Sequence, residues 1–219
     1  MTFLGPVEVL KSRRDNDIRR LAKPARTGIR SAVDSAVRRI VNGGNARLPK
    51  ADLRDSLSDA SSKRLGSWSE TEPGRDFLKQ KRDIRNAALN ELDRKVKART
   101  AELQLEAKER EWSSARLKRE LRQELGHLSQ SASEYLSANE AVQDQNFVLS
   151  QEAEDKDMLL EWVTAGDARV RDSHVGMDGE RISPGETFSN GLRYPGDPSG
   201  DLAEVINCRC HVKLVRPKK

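Results

Sequence analysis

The chain has 219 residues, of which 34% are charged and only 4% aromatic, a profile of long solvated helices rather than one thick core. No apolar run approaches the roughly 18 residues needed to span a bilayer. The opening Met-Thr-Phe-Leu-Gly-Pro lacks the basic start and apolar stretch of a secretion signal, so neither a membrane segment nor export is expected.

The formal charge of +5 is unevenly spread: residues 1–50 hold twelve Lys or Arg against four Asp or Glu. This stretch, with Arg13, Arg14, Arg19 and Arg20 as candidate nucleic-acid contacts, could neutralise phosphates. It could equally dock on an acidic protein face or be a solvated helix surface. No aromatic residue is interleaved with these arginines, so a base-stacking platform is not expected.

From Arg26 to Val41 the pattern is an amphipathic helix, with Ile29, Val33, Val37 and Ile40 on one face. Gly43-Gly44 stops it, because glycine readily takes the left-handed conformation at a helix end. A second helix is predicted from Pro49 to Leu65, striped by Leu53, Leu57 and Ala60. Neither Gly nor Pro occurs from Arg75 through Leu125, so an unbroken helix there would be on the order of 75 Å long. Its apolar stripe is thin and suits a helical hairpin or a helix packed on a partner. A break is predicted near Gly126, then helix through Ala141 and again from Asp155 to Trp162.

Beyond Trp162 the grammar changes, with half of the glycines and half of the prolines in the last quarter. His211-Val-Lys-Leu-Val215 alternates polar and apolar residues as a half-buried strand does. The predicted fold class is mainly α with a small C-terminal α+β unit of two to four short antiparallel strands. The chain divides into a basic helical region (1–70), a long charged helical region (71–160) and a compact C-terminal domain (161–219).

Both cysteines and two of the three histidines lie in that last domain. A C-x-C on a strand places both sulfurs on one face. Cys208 and Cys210 could then hold a zinc ion with His174, and with His211 or a nearby Asp as fourth ligand. A regular strand turns His211 to the opposite face, so His174 is the stronger candidate. A structural metal would compensate for a small core. The alternative is a pair of packed thiols with His174 in a structural hydrogen bond. A disulfide is not expected, because a bridge across one intervening residue would be badly strained.

Asp167, Arg171, Asp172 and His174 together admit a general base beside carboxylates, with an arginine for a phosphate. The plainer reading makes Asp167 a turn residue after Gly166 and gives Arg171 a buried charged hydrogen bond. It is favoured because the sequence shows neither a positioned nucleophile nor a pocket. Asn190-Gly191 and the Pro195-to-Gly200 loop lack the lysine of a P-loop and read as turns. Trp162 and Phe188 read as core anchors.

The same domain carries a resemblance. In order stand Trp162, Thr164, Asp167, Val170, Arg171 and His174, then Asp178-Gly179, Pro184, Phe188 and Asn190-Gly191. Pro195-Gly196-Asp197-Pro198 and Ile206-Asn207-Cys208-Arg209-Cys210 follow. This series resembles the phage Mu F-like minor head protein family, also called phage head morphogenesis proteins, over about a quarter of the chain. The resemblance implies a minor structural protein of a phage or prophage-derived head, needed for head assembly or for genome packaging and delivery. Its implied location is the head interior or portal vertex of the virion, after assembly in the host cytoplasm. The implied partners are the portal protein, other head proteins and packaged DNA, and the implied role is not enzymatic. Similar domains are also fused to toxin modules, which makes an effector enzyme the alternative: nuclease-like or ADP-ribosyl-transfer activity using Asp167, Arg171 and His174. Because few residues follow Cys210, no appended catalytic module is expected.

Overall fold

The computed structural model describes residues 6–44, 47–206 and 208–217, with no side chains described for residues 6–19, 21 and 24. Helices α1 (Pro6–Val41), α2 (Lys50–Leu65), α3 (Glu72–Glu109) and α4 (Ser114–Asp155) come first. Strand β1 (Leu159–Val163), helix α5 (Asp172–Val175), strand β2 (Arg181–Ile182), helix α6 (Leu202–Val205) and strand β3 (His211–Val215) follow. The protein is mainly α with a small C-terminal α+β unit, as the composition implied.

The chain forms two compact units. Among the described residues, those within 22–60 and 85–137 form a bundle unit, and those within 6–21, 61–84 and 138–217 form a sheet unit. In the bundle unit Ile29, Val33, Val37 and Ile40 of α1 are buried with Leu53 and Leu57 of α2, Leu89, Leu92 and Val96 of α3, and Leu121 and Leu125 of α4. Each such side chain contributes roughly 1.5–3 kcal/mol by leaving water. The α1 stripe is the one read from the sequence. Its stop is a Schellman-type end, with Gly43 at φ 85° and the Gly44 N–H donating to the Arg39 carbonyl at 2.8 Å.

The break in the long helical stretch falls at residues 110–113, not near Gly126, which α4 passes straight through. The turn uses the same 6→1 bond, from Trp112 N–H to the Ala107 carbonyl at 2.8 Å, but a glutamate, Glu111 at φ 50°, takes the left-handed position. Glycine inside α4 costs only about 1 kcal/mol relative to alanine, which the buried Leu121, Leu125 and Ser129 around it readily outweigh.

In the sheet unit the expected helix from Asp155 to Trp162 is replaced by β1. Asp157, at φ 50°, follows the end of α4, and two residues later the chain enters the central strand of an antiparallel sheet of order β2-β1-β3. Glu161 pairs in register with Arg181 on β2 and Lys213 on β3, and its carboxylate binds both side chains. Such opposite-charge neighbours support the pairing. The core behind the sheet gathers Phe77 of α3, Phe147 of α4, Leu160, Trp162, Phe188, Leu192, Tyr194, Val205 and Val212. Phe77 stacks on Phe147 with ring centroids 4.3 Å apart.

A buried charged cluster lies among the helical segments of this unit. Lys81, with no solvent exposure, places its ammonium 2.6 Å from Asp144 Oδ1 and 2.7 Å from Glu140 Oε2. It also donates to Ser61 Oγ at 3.1 Å. Arg64 meets the other Asp144 oxygen at 2.7 Å. Lys81 and Arg64 thus meet carboxylates that are almost wholly out of water, and pairing of this kind is the condition under which burying charge is tolerable.

Candidate metal centre

Three short pieces of irregular chain converge on Trp162. The one-turn helix α5 begins after Arg171 and delivers His174, with the His174 N–H bonded to the Arg171 carbonyl at 2.9 Å. The Asp178-Gly179 turn then returns the chain to β2. Gly179, at φ 84°, donates to the Trp162 carbonyl at 2.9 Å. Asp178 Oδ1 accepts from the Thr164 N–H at 2.7 Å and its hydroxyl at 3.0 Å. The Asn190-Gly191 loop seats Phe188, whose ring meets the Trp162 ring edge-on at 4.9 Å. The segment before β3 then brings in Cys208 and Cys210.

His174, Cys208 and Cys210 are all buried, and their ligand atoms lie within 4.8 Å of one another. Both sulfurs are 3.6 Å from His174 Nδ1. This group could hold a metal ion. The opposite ring nitrogen, Nε2, is 2.6 Å from Glu204 Oε2 on α6. The ring packs edge-on against Trp162, centroids 5.2 Å apart. His211, the other candidate fourth ligand, is not in the group: it sits in β3 opposite Val163. Among the described residues no aspartate joins the group either.

The electrostatics favour a thiolate here. The Cys208 hydrogen bond lowers the pKa of the Cys210 thiol, and His174 adds to this against the opposing effect of burial. The hydrogen bond to Cys210, with burial, pushes the Cys208 thiol far up. Burial works against charging His174, yet hydrogen bonds with Cys210 and Glu204 outweigh it and raise its pKa. Thiolate is the form that binds a metal.

The other motif residues brace this centre. Arg209 forms a bidentate pair with Asp167, at 2.6 and 2.5 Å, and this guanidinium first of all holds the Asp167 carboxyl far below its usual range. Arg171 donates to the Ile206 carbonyl, a charged hydrogen bond to a carbonyl as expected, but half-buried rather than buried. Asp167, Arg171 and His174 therefore each engage a different partner. Asn207 lies outside the described residues, as do the side chains of Arg13, Arg14 and Arg19. Arg20 is exposed. Beyond it, Lys23, Arg26, Arg30 and Arg38 line an open groove of 530 Å³ in the bundle unit, with Asp34 and Glu134 among them.

Two residues that hold the centre together, Asn146 and Glu204, were not expected from the sequence. Asn146 of α4, fully buried, donates from Nδ2 to the Pro195 carbonyl at 2.8 Å and the Cys210 carbonyl at 3.2 Å. Its Oδ1 accepts from the Val212 N–H at 3.2 Å. Glu204 had one local signal, the Asp201-x-x-Glu204 spacing of a capping box. Asp201 does cap α6 through the Ala203 N–H at 2.8 Å, but Glu204 reaches His174.

Asp197 organises the Pro195–Gly200 loop. It is fully buried and accepts from Arg193 Nε at 2.7 Å, Arg193 Nη2 at 2.8 Å and the Ser199 N–H at 3.0 Å. Burial works to raise its pKa, but Arg193 and Ser199 outweigh it and hold the carboxyl below its ordinary 3.8. A depressed carboxylate contributes stability that is present above the unfolded value and lost as the pH falls through the folded one. Asp197→Asn should therefore destabilise the protein near neutrality, and by progressively less as the pH falls below the ordinary carboxyl value of 3.8 and through the lower folded one. Urea unfolding of both proteins across a pH series measures the difference, which would be independent of pH if Asp197 carried no such linkage.

Compared with known proteins, the chain matches no family model, no curated protein and no solved structure.

Proposed function

We propose that the protein is a minor structural component of a phage or prophage-derived head, working at the portal vertex in head assembly or in genome packaging and delivery. The observation that carries this reading is the convergence of the resemblance-bearing residues. Trp162, His174, Phe188, Cys208 and Cys210 form one buried nucleus, braced outside by Asp167–Arg209. Residues spread over fifty positions serve one compact scaffold, as suits a docking module. The effector-enzyme alternative needs Asp167, Arg171 and His174 to face one substrate, and their separate partners give it less support.

Within this reading the metal is zinc. Bonds of about 2.3 Å to sulfur and about 2.0–2.1 Å to nitrogen at a tetrahedral angle set sulfur–nitrogen edges of about 3.6 Å. Both edges here are 3.6 Å. Zinc would tie the segment before β3 to α5 and supplement a small core. The groove lined by Lys23, Arg26, Arg30 and Arg38 supports contact with packaged DNA through phosphates.

Purified particles from the same genome test the proposal. The chain should be detected in them by mass spectrometry and should be captured by the cognate portal protein. Replacing Arg13, Arg14, Arg19 and Arg20 by glutamate should weaken DNA binding and infectivity. Particles that lack the chain at every assembly stage would end the head-protein reading. Robust nuclease or ADP-ribosyl-transfer turnover, lost in His174→Ala, would replace it with the enzyme.

A further inference from the structure

We infer that Glu204 is a positioning residue for a metal ion, holding His174 in the tautomer that presents Nδ1 to the metal. The inference rests on the metal reading of His174, Cys208 and Cys210, and adds to it a residue outside the ligand set and a choice of ligating atom.

The two faces of the His174 ring are chemically distinct. Nδ1 looks at two sulfurs, each 3.6 Å away, while Nε2 is 2.6 Å from a carboxylate oxygen. A carboxylate can only accept, so the short contact places the proton on Nε2. Nδ1 is then the nitrogen left to coordinate, a metal displacing any proton it shares with Cys210. Metal-ligating histidines are commonly held in this way, the second nitrogen donating to a carboxylate that fixes both ring orientation and tautomer.

Glu204 is itself held in place. The Ser173 hydroxyl, next in sequence to the ligand, lies 3.1 and 3.3 Å from its two oxygens. Asp201 caps the turn that carries it. The ring cannot easily turn away, because it is 1% exposed and wedged against Trp162. A glutamate serving only as a surface ion-pair partner would not need a fully buried histidine or a second anchor. The ion such a set selects is a soft or borderline divalent cation, given two thiolates and one imidazole.

Full-length wild type, Glu204→Gln, Glu204→Ala and Ser173→Ala would be stripped of metal and titrated with Co²⁺ alone, then with Zn²⁺ against a competing chelator. Wild type should bind one Co²⁺ with the intense visible bands of a tetrahedral sulfur-containing site. Glu204→Ala should bind zinc about 10- to 100-fold more weakly with shifted cobalt bands. Glu204→Gln, whose carbonyl still accepts from Nε2, should keep much of the affinity and serves as the folding control. Ser173→Ala should show a smaller loss. Imidazole ¹⁵N shifts of zinc-loaded wild type should show a protonated Nε2 and a metal-bound Nδ1. Unchanged affinity and cobalt spectrum in Glu204→Ala, with wild type binding metal normally, would overturn the role of Glu204 alone. Wild type that takes up no Co²⁺ would overturn the metal reading and this inference with it.

Discussion

Lys81→Met is expected to destabilise the sheet unit by about 3–5 kcal/mol, because breaking a buried ion pair leaves charge without compensation. The methionine fills similar volume, so the loss is electrostatic rather than a cavity effect. In the wild type the ammonium serves Asp144, Glu140 and Ser61 at once. Without it, Asp144 keeps its contact with Arg64, while Glu140 loses an ammonium 2.7 Å away. Lys81→Met combined with Glu140→Gln should recover a substantial part of the loss, since it removes one of the two buried carboxylates that the ammonium served. Denaturant midpoints of the two variants decide this. A loss below about 1 kcal/mol in the single variant, the scale of an exposed pair, would show that water reaches the cluster.

The second large effect is metal-linked. If zinc is held by Cys208, Cys210 and His174, then stability rises with free zinc as mass action requires. At a thousand times the dissociation constant the gain is about 4 kcal/mol. Chelation should lower the stability of the wild type by that order, read as a fall in its unfolding midpoint. Cys210→Ser should unfold early and show no response to zinc or chelator. The bundle core is built from other residues entirely, so part of the helical signal should survive chelation. A wild-type midpoint indifferent to both zinc and chelator would leave the cysteines as packed thiols.

How far these features could be read from the sequence depended on range. The α1 stripe of Ile29, Val33, Val37 and Ile40 and its glycine stop were legible because their causes are local. The hairpin turn was not, since Glu111 takes a conformation that usually signals itself through glycine. Strand β1 was hidden for a different reason. It is the central strand, and Leu160, Glu161 and Trp162 are buried in succession, so the alternation that marks a half-exposed strand is missing. At the centre, Cys208, Cys210 and His174 could be proposed because their chemistry is rare in this chain. Asn146 and Glu204 are common residues whose roles arise from contacts. Asn146 lies 64 residues from Cys210 and Glu204 lies 30 from His174. No spacing announces such contacts.

The sheet unit stands or falls as a metal-stapled scaffold on its metal content. Native mass spectrometry of the protein, purified without chelators and reconstituted with zinc under reducing conditions, measures this directly. A single zinc per chain is expected, lost in Cys208→Ser and in Cys210→Ser. A wild-type chain at the mass of the free dithiol, with no zinc retained after reconstitution, would contradict it.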